Sequence, residues 1–255
     1  MPLLSTQRKT TTLSPPLPIT NTVMQTHGLT LRRGQFSLLA AAPGVGKSIV
    51  ATNLALFTSV PCLFFSADSD EWTVRTRACS ILTGEQLGNV EKQLNEPAWE
   101  DYYGEQLAKT DHVDWCFRTD IDLEFIALRM LAHAEMYGDY PALIVVDNLG
   151  NCIEEQSNEF SELRGICREL QAIARTSGAH VMALHHVVGS KEDGDKPVGL
   201  SDVMGKVSKL PEMVLGLSRN GDSLTLSVAK NRGGKSGMHL ALPVDYTRAT
   251  IGGFR

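Results

Sequence analysis

The sequence predicts an α/β fold in which a mostly parallel central sheet carries helices on both faces. Short apolar runs alternate with helical segments from residue 35 to residue 184. Such alternation is typical of parallel strands joined by crossover helices, and an uninterrupted apolar run indicates a strand buried on both sides. The last third of the chain holds short strands separated by Gly, Asn and Asp turns, which predicts antiparallel hairpins at one end of the sheet.

The individual elements follow from local signals. Parallel strands are expected at residues 36–40, 62–65, 112–117, 142–146 and 180–184. Helices are expected at residues 48–57, 71–82, 123–137 and 159–176, and the last three of these end at or near Gly84, Gly138 and Gly178, the residue type that most often terminates a helix. Hairpin strands are expected at residues 213–217, 224–229, 238–242 and 248–252. Residues 86–109 are polar, acidic and helix-prone, and we expect them to form a surface insertion.

The chain is expected to divide into an extended arm at residues 1–21 and one α/β domain at residues 22–255. The arm contains Ser14-Pro15-Pro16-Leu17-Pro18, a composition that favours extended chain outside the core. Two interpretations of the arm remain open at this point. It is a disordered tail, or it packs on a neighbouring subunit.

Composition limits the class of protein. The 255 residues are enough for one sizeable core, and no apolar run is long enough to span a bilayer. The beginning of the chain lacks a signal-peptide pattern, so a cytoplasmic location without membrane contact is expected. The five cysteines are scattered, which favours reduced thiols. The net charge of −5 argues against a protein that coats nucleic acid over a broad surface.

A phosphate-binding loop is predicted between the first strand and the first long helix. The segment Ala41-Ala42-Pro43-Gly44-Val45-Gly46-Lys47-Ser48 fits G-x-x-x-x-G-K-[ST] except for Ala at its first position. Glycines let backbone N–H groups approach phosphates, the helix start attracts anions, and the lysine neutralises phosphate charge. The residues expected to bind ATP are Ala42, Pro43, Gly44, Val45, Gly46, Lys47, Ser48 and Ile49. The alternative is a glycine-rich turn followed by Lys-Ser by chance.

A magnesium site is predicted beside this loop. The apolar run at residues 143–146 ends in Asp147, the pattern of a Walker-B strand. In P-loop enzymes the Ser of the loop and the Walker-B Asp hold Mg²⁺. We therefore expect Ser48 and Asp147 to hold Mg²⁺ with ATP.

The carboxylate expected to activate the attacking water is Asp68. It lies just beyond the end of the second strand, on the sheet edge that carries Lys47. Glu71 is the alternative base, although Asp70 and Glu71 also fit the acidic first turn of the next helix. A third interpretation makes all three acids capping or solvated groups. A fourth uses Asp68, Asp70 and Glu71 as the metal-binding cluster of a nuclease.

The order of these motifs resembles the RecA superfamily, and most closely the ATPase domain of DnaB-like replicative helicases. The resemblance runs from Thr22 to the end of the chain and includes Phe64-Phe65-Ser66-Ala67-Asp68 and Asp147-Asn148-Leu149. It implies a RecA-like P-loop NTPase core, and the family commonly carries Ala at the position of Ala41. Where the family has a catalytic Glu, this sequence has Asp68, which is one methylene shorter.

The resemblance also implies three further site residues and an assembly. His186 stands where the family has a Gln that senses the γ-phosphate, and His185 is expected to face the other side of the strand. Lys230 and Arg232 match a family segment that reaches the ATP of the neighbouring subunit. The alternative is a basic turn with solvated charges. The expected assembly is a homo-oligomer, by family norm a hexameric ring with ATP between subunits. The minimal form, without the amino-terminal collar domain, resembles phage-encoded versions, which would place it in the infected host's cytoplasm.

The function expected from the resemblance is a helicase or translocase that couples ATP hydrolysis to movement on single-stranded DNA in DNA replication. Residues 150–160 and 187–205 are the expected DNA loops, but neither is net basic. Single-stranded DNA as a partner therefore rests on the resemblance. The alternatives are a RecA-type recombination or annealing ATPase, an ATP-gated loader or assembly protein, and the metal-dependent nuclease.

Overall fold

The computed structural model describes residues 14–152 and 159–254, and its centre is one twisted sheet. The strand order is β3-β2-β4-β5-β1-β6-β7-β8-β9. The strands are β1 (Phe36–Ala41), β2 (Cys62–Ser66), β3 (Val113–Cys116), β4 (Leu143–Asp147), β5 (His180–His186), β6 (Met213–Asn220), β7 (Ser223–Asn231), β8 (Met238–Asp245) and β9 (Thr250–Ile251). Pairing is parallel from β3 through to β6 and antiparallel from β6 to β9. The predicted parallel sheet with terminal hairpins is confirmed.

The helices begin and end at local signals that the sequence contains. They are α1 (Thr22–Thr26), α2 (Lys47–Phe57), α3 (Glu71–Thr83), α4 (Leu87–Leu94), α5 (Trp99–Ala108), α6 (Leu123–Tyr137) and α7 (Glu159–Ser177). Asp70 and Asp122 cap the starts of α3 and α6 by accepting a backbone N–H. Gly84 and Gly138 end the same helices in the left-handed conformation.

The sheet is covered on both faces. Successive residues of a strand point to opposite faces, and residues Leu143 to Val146 of β4 are all 0% exposed. A strand that is buried on both faces reads as a continuous apolar run, which explains the pattern in the sequence. The parallel strands run in one direction, so β1, β2, β4 and β5 end at a common edge, which we call the carboxyl edge.

The segment at residues 86–109 is a docked helical pair. Its helices α4 and α5 bury Val90, Leu94 and Tyr103 against Cys79 of α3, in a cluster separate from the main core. The Tyr103 hydroxyl donates to a Glu85 carboxylate oxygen at 3.2 Å. The predicted insertion is therefore helical and has a small core of its own.

The end of the predicted arm belongs to the core, contrary to expectation. Leu17 and Ile19 are 4% and 6% exposed, and the Leu17 N–H donates to the Leu31 carbonyl oxygen at 2.8 Å. The two apolar side chains alternate with Pro16 and Pro18, the period of an extended strand whose one face is buried. The prediction considered only the prolines and is wrong for these residues; residues 1–13 lie outside the described part.

In the described part of the chain, no helix combines the length and apolar character needed to cross a membrane.

Candidate nucleotide site

The loop after β1 has the backbone shape that phosphate binding requires. Gly44 and Gly46 adopt φ values of 71° and 121°, in the region that favours glycine. Gly46 precedes the first turn of α2 and places no side chain over it. The N–H groups at the start of α2 therefore remain available to an anion in front of the helix.

Lys47 lies under this loop. Its side chain is buried, and its Nζ donates to the carbonyl oxygens of Ala41 at 3.1 Å and Ala42 at 3.4 Å. Burial lowers the pKa of Lys47, while the charges of Asp147 and Asp68 act in the opposite direction. The lysine is thus held by the loop itself and faces two carboxylates.

Asp147 ends β4 directly beside Lys47 and Ser48. It is 1% exposed, and burial raises its pKa to about 6 against the opposing effects of the Ser48 hydroxyl, Lys47 and Arg77. One carboxylate oxygen, Oδ2, is buried and has no hydrogen-bond partner among the described residues. An unsatisfied buried carboxylate oxygen beside a hydroxyl fits a hard cation such as Mg²⁺, which oxygen ligands bind best. Ser48 and Asp147 are therefore suited to hold the predicted ion.

Asp68 lies at the same carboxyl edge, one strand away. The pairing of β2 with β4 sets Ser66 opposite Asp147, and one carboxylate oxygen of Asp68, Oδ2, accepts a hydrogen bond from the side-chain amide of Asn148. The Asp68 charge acts on Lys47, Asp147 and His186. The structure thus brings the predicted base together with the predicted phosphate and metal residues.

The other two acids of this segment point elsewhere. Asp70 caps α3 through the Thr73 N–H at 2.8 Å, and Glu71 forms an exposed ion pair with Arg75. Among the described residues, no three His, Cys, Asp or Glu side chains form a group that could hold a metal. The geometry therefore contradicts the acidic cluster that the nuclease alternative requires, and it places Glu71 away from Lys47.

The two histidines at the end of β5 face opposite ways, as predicted. His186 is partly buried, and its Nδ1 lies 3.5 Å from Lys47 Nζ. Burial and the neighbouring Lys47 lower the pKa of His186, which favours the neutral ring. His185 is buried on the other side, where its Nε2 lies 3.1 Å from the Met204 carbonyl oxygen, and burial lowers its pKa to about 4.

Four residues at this edge escaped the sequence analysis. Tyr246 donates from its hydroxyl to the Val45 carbonyl oxygen at 2.9 Å, and Arg219 donates to the Gly44 carbonyl and stacks over the Tyr246 ring at 5.8 Å. Arg77 of α3 donates to the Ser69 hydroxyl at 3.2 Å, and its charge lowers the pKa of Asp147. The fourth residue is Asn148. Strand order alone brings these side chains to the loop, so no local motif announces them.

Lys230 and Arg232 lie far from the phosphate loop of their own chain. Lys230 Nζ donates to the carbonyl oxygens of Ser208 at 3.0 Å and Lys209 at 2.7 Å, and Arg232 donates to the latter at 3.2 Å. The Arg232 N–H bonds to the Glu212 carbonyl, and the Glu212 N–H bonds to the Phe36 carbonyl, at the beginning of β1. The loop follows the other end of β1, about 17 Å away at roughly 3.3 Å per residue.

A basic cleft surrounds this second position. Its volume is 450 Å³, and its lining residues are Leu200, Ser201, Lys206, Ser208, Lys209 and Lys230. Burial and the adjacent Arg232 lower the pKa of Lys230, with Glu212 opposing. We call Lys206, Lys209, Lys230 and Arg232 the basic cluster.

Together, the parallel sheet, the phosphate loop and the buried Asp147 define the class of P-loop ATPase domains with a RecA-like fold. The chain belongs to the AAA domain family, whose model matches residues 8–192.

Its relatives include phage proteins and a helicase. The Gene 65 protein of Mycobacterium phage L5 is 39% identical over 229 residues, which cover 87% of this chain and 85% of that protein. The Gene 65 protein of Mycobacterium phage D29 is 39% identical over 207 residues, 78% of this chain and 89% of that protein. The replicative DNA helicase DnaB of Treponema pallidum (strain Nichols) is 24% identical over 85% of this chain, which corresponds to 52% of the helicase.

Solved structures show the same fold. An ATPase domain that was solved on its own superposes with a TM-score of 0.83 at 16% identity, over 98% of this chain and 95% of that domain. A DnaB-like replicative helicase, described with its interactions with primase, gives a TM-score of 0.82 at 16% identity, over 98% of this chain and 64% of the helicase. The resemblance to DnaB-like ATPase domains that the sequence predicts is confirmed.

Proposed function

We propose that this protein is an ATP-driven motor that moves on single-stranded DNA in DNA replication, as a DnaB-like helicase or translocase. The observation that carries the proposal is the convergence of Lys47, Asp147, Asp68 and His186 at one sheet edge. These groups match the requirements of phosphoryl transfer to water. The fold and the DnaB relative supply the connection to DNA.

In this proposal the phosphate loop binds the ATP phosphates and Lys47 neutralises their charge. Mg²⁺ held by Ser48 and Asp147 would offset the negative charge on the β- and γ-phosphates. A water oxygen bonds to the γ-phosphorus while the bond from that phosphorus to the β,γ-bridging oxygen breaks, and ADP leaves. Asp68 takes the proton from the water, and His186 contacts the γ-phosphate from the far side of Lys47.

Lys230 and Arg232 act on the ATP of a neighbouring subunit. The separation of about 17 Å from their own loop exceeds the reach of an arginine side chain. The basic cluster holds four cations, while the nearest acid, Glu212, is already engaged by Arg175 at 3.1 Å and by Gln171 at 2.8 Å. Such a cluster suits a phosphate anion. The sites are complete only in a homo-oligomer, and we propose the hexameric ring with ATP between subunits.

The DNA contact of this motor is proposed to involve the segment that follows β5. The described residues there are anchored to the sheet by the pairing of Val187 with Val203 and by the Val188 N–H, which donates to the Asp202 carbonyl at 2.8 Å. Lys191 and Lys196 lie within the anchored segment. Because His186 directly precedes it, a change at the γ-phosphate can reach this segment through one strand end. The second proposed loop, residues 150–160, lies largely outside the described part.

Steady-state ATP hydrolysis with and without single-stranded DNA tests the proposal. At low salt with Mg²⁺, we expect single-stranded oligonucleotides to raise the turnover number, because binding at the loops is coupled to the γ-phosphate site. Double-stranded DNA of equal nucleotide concentration is the control and should stimulate less. Stimulation should weaken as salt rises, since phosphate contacts release counterions. Hydrolysis that no DNA changes would contradict the motor.

A further inference from the structure

Asn148 lies directly against the proposed base. It follows Asp147 at the end of β4 and is 6% exposed. Because β4 and β2 are neighbours, its side-chain amide reaches across the carboxyl edge and donates to Asp68 Oδ2. Within the described part of the chain, no other side chain lies within hydrogen-bond distance of Asp68. The proposed base is therefore held by one neutral donor.

The orientation of the Asn148 amide is fixed by the backbone behind it. Its Oδ1 accepts the Gly150 N–H at 2.7 Å, and since an N–H can only donate, the atom facing Gly150 must be the oxygen. The amide nitrogen then necessarily faces Asp68. The backbone of the turn is bonded as well, because Asn148 N donates to Asn151 Oδ1 at 3.3 Å and Asn151 N donates to the Asn148 carbonyl at 3.2 Å.

Gly150 supplies independent support for this clamp. A Cβ built on Gly150 would lie 2.8 Å from Asn148 Oδ1, closer than real side chains allow. Gly150 has no positive φ, so its backbone conformation is open to other residues. The space that its missing side chain leaves is occupied by the Asn148 amide.

Electrostatics give Asp68 a reason to need this donor. The carboxylates of Asp68 and Asp147 repel each other, an effect that helps to raise the pKa of Asp147. A short aspartate side chain free to rotate would turn away from its neighbour. The Asn148 N–H binds Oδ2 and leaves Oδ1 free to meet a water.

We infer that Asn148 is a positioning residue for ATP hydrolysis: its clamped amide holds Asp68 in place, so that the free carboxylate oxygen receives the proton of the attacking water. The inference rests on the proposed function, since it assumes that Asp68 is the base. It assigns a role to a residue that contacts neither the ATP nor the ion. The proton passes from water to Asp68, and Asn148 remains a neutral donor throughout.

A double-mutant cycle between Asn148 and Asp68 tests the inference. We expect Asn148→Ala to lower kcat about 10- to 100-fold, because misplacing a catalytic group by about 1 Å can cost 10²-fold, while KM for ATP stays within about 3-fold. In the Asp68→Asn background, the same change should lower kcat less than about 2-fold, since the group it positions is already lost. Asn151→Ala is the matched control, because it removes a bond to the Asn148 backbone and leaves the amide on Asp68.

Equal losses of kcat in both backgrounds, or an unchanged kcat for Asn148→Ala, would overturn the inference. If Asn148→Ala does not fold, Gly150→Ala replaces it, because the new Cβ displaces the amide without deleting a polar group; it should lower kcat with the same dependence on Asp68. Failure of the proposed function looks different. Asp68→Asn would then hydrolyse ATP as fast as the parent, or the parent itself would show no hydrolysis.

Discussion

Lys47→Ala is expected to abolish ATP hydrolysis, with a loss in turnover of at least about 10³-fold. Lys47 is the buried cation between the phosphate loop and the carboxylates of Asp147 and Asp68. Removing it leaves phosphate charge unopposed at the loop and two carboxylates without their nearest cation. Loss of one preorganised group that stabilises transition-state charge commonly costs about 10²- to 10³-fold, and this lysine also supports binding.

The measurement is phosphate release at saturating ATP and Mg²⁺, combined with equilibrium binding of a fluorescent ATP analogue. Lys47→Met tests the same point while it keeps most of the side-chain volume in a buried position. Lys92→Ala, on the exposed surface of α4, is the matched control and should hydrolyse ATP normally. Turnover of Lys47→Ala within a few-fold of the parent would remove the phosphate-site assignment.

Arg232→Ala is expected to retain ATP binding and to lose turnover by roughly 10³- to 10⁵-fold, the range found for arginine fingers supplied by a partner. Binding should persist because Arg232 lies at the beginning of β1, whereas the loop follows its end. Hydrolysis should fail because the neighbouring site lacks its cation. The readouts are nucleotide binding and phosphate release, and Arg118→Ala, which removes an exposed arginine paired with Asp120, is the control.

Mixing two inactive variants shows whether Arg232 acts across subunits. An interface regains all its groups when an Arg232→Ala subunit supplies the phosphate loop and a Lys47→Ala subunit supplies Arg232. In a random equal mixture, about a quarter of the interfaces of a ring meet this condition. Partial recovery of turnover is therefore expected, and complete inactivity of the mixture would argue against a role in trans.

Local motifs made much of this fold predictable. The expected helix at residues 123–137 coincides with α6 (Leu123–Tyr137), because its caps, Asp122 and Gly138, are adjacent in sequence. The phosphate loop and Asp147 were predictable for the same reason, since a strand, a turn and a helix start are contiguous. The sheet follows from apolar runs whose burial on both faces leaves a continuous pattern.

Contacts set by strand order were not predictable. Asn148 meets Asp68 only because β2 and β4 are neighbours, although the two residues are 80 positions apart. Tyr246 reaches Val45 across 201 positions because β8 and the turn after it fold back over the loop. The burial of Leu17 and Ile19 depends on what the chain covers, which a proline-rich composition does not reveal.

The central claim is that ATP hydrolysis drives movement on single-stranded DNA. Its most direct test is displacement of a labelled strand from a forked duplex with single-stranded tails, measured with ATP and Mg²⁺ and repeated with Lys47→Ala. The account predicts strand release that requires hydrolysable ATP and is absent with Lys47→Ala. DNA-stimulated ATP hydrolysis without any strand release, accompanied by filaments on the DNA, would contradict the motor and favour a recombination or annealing ATPase.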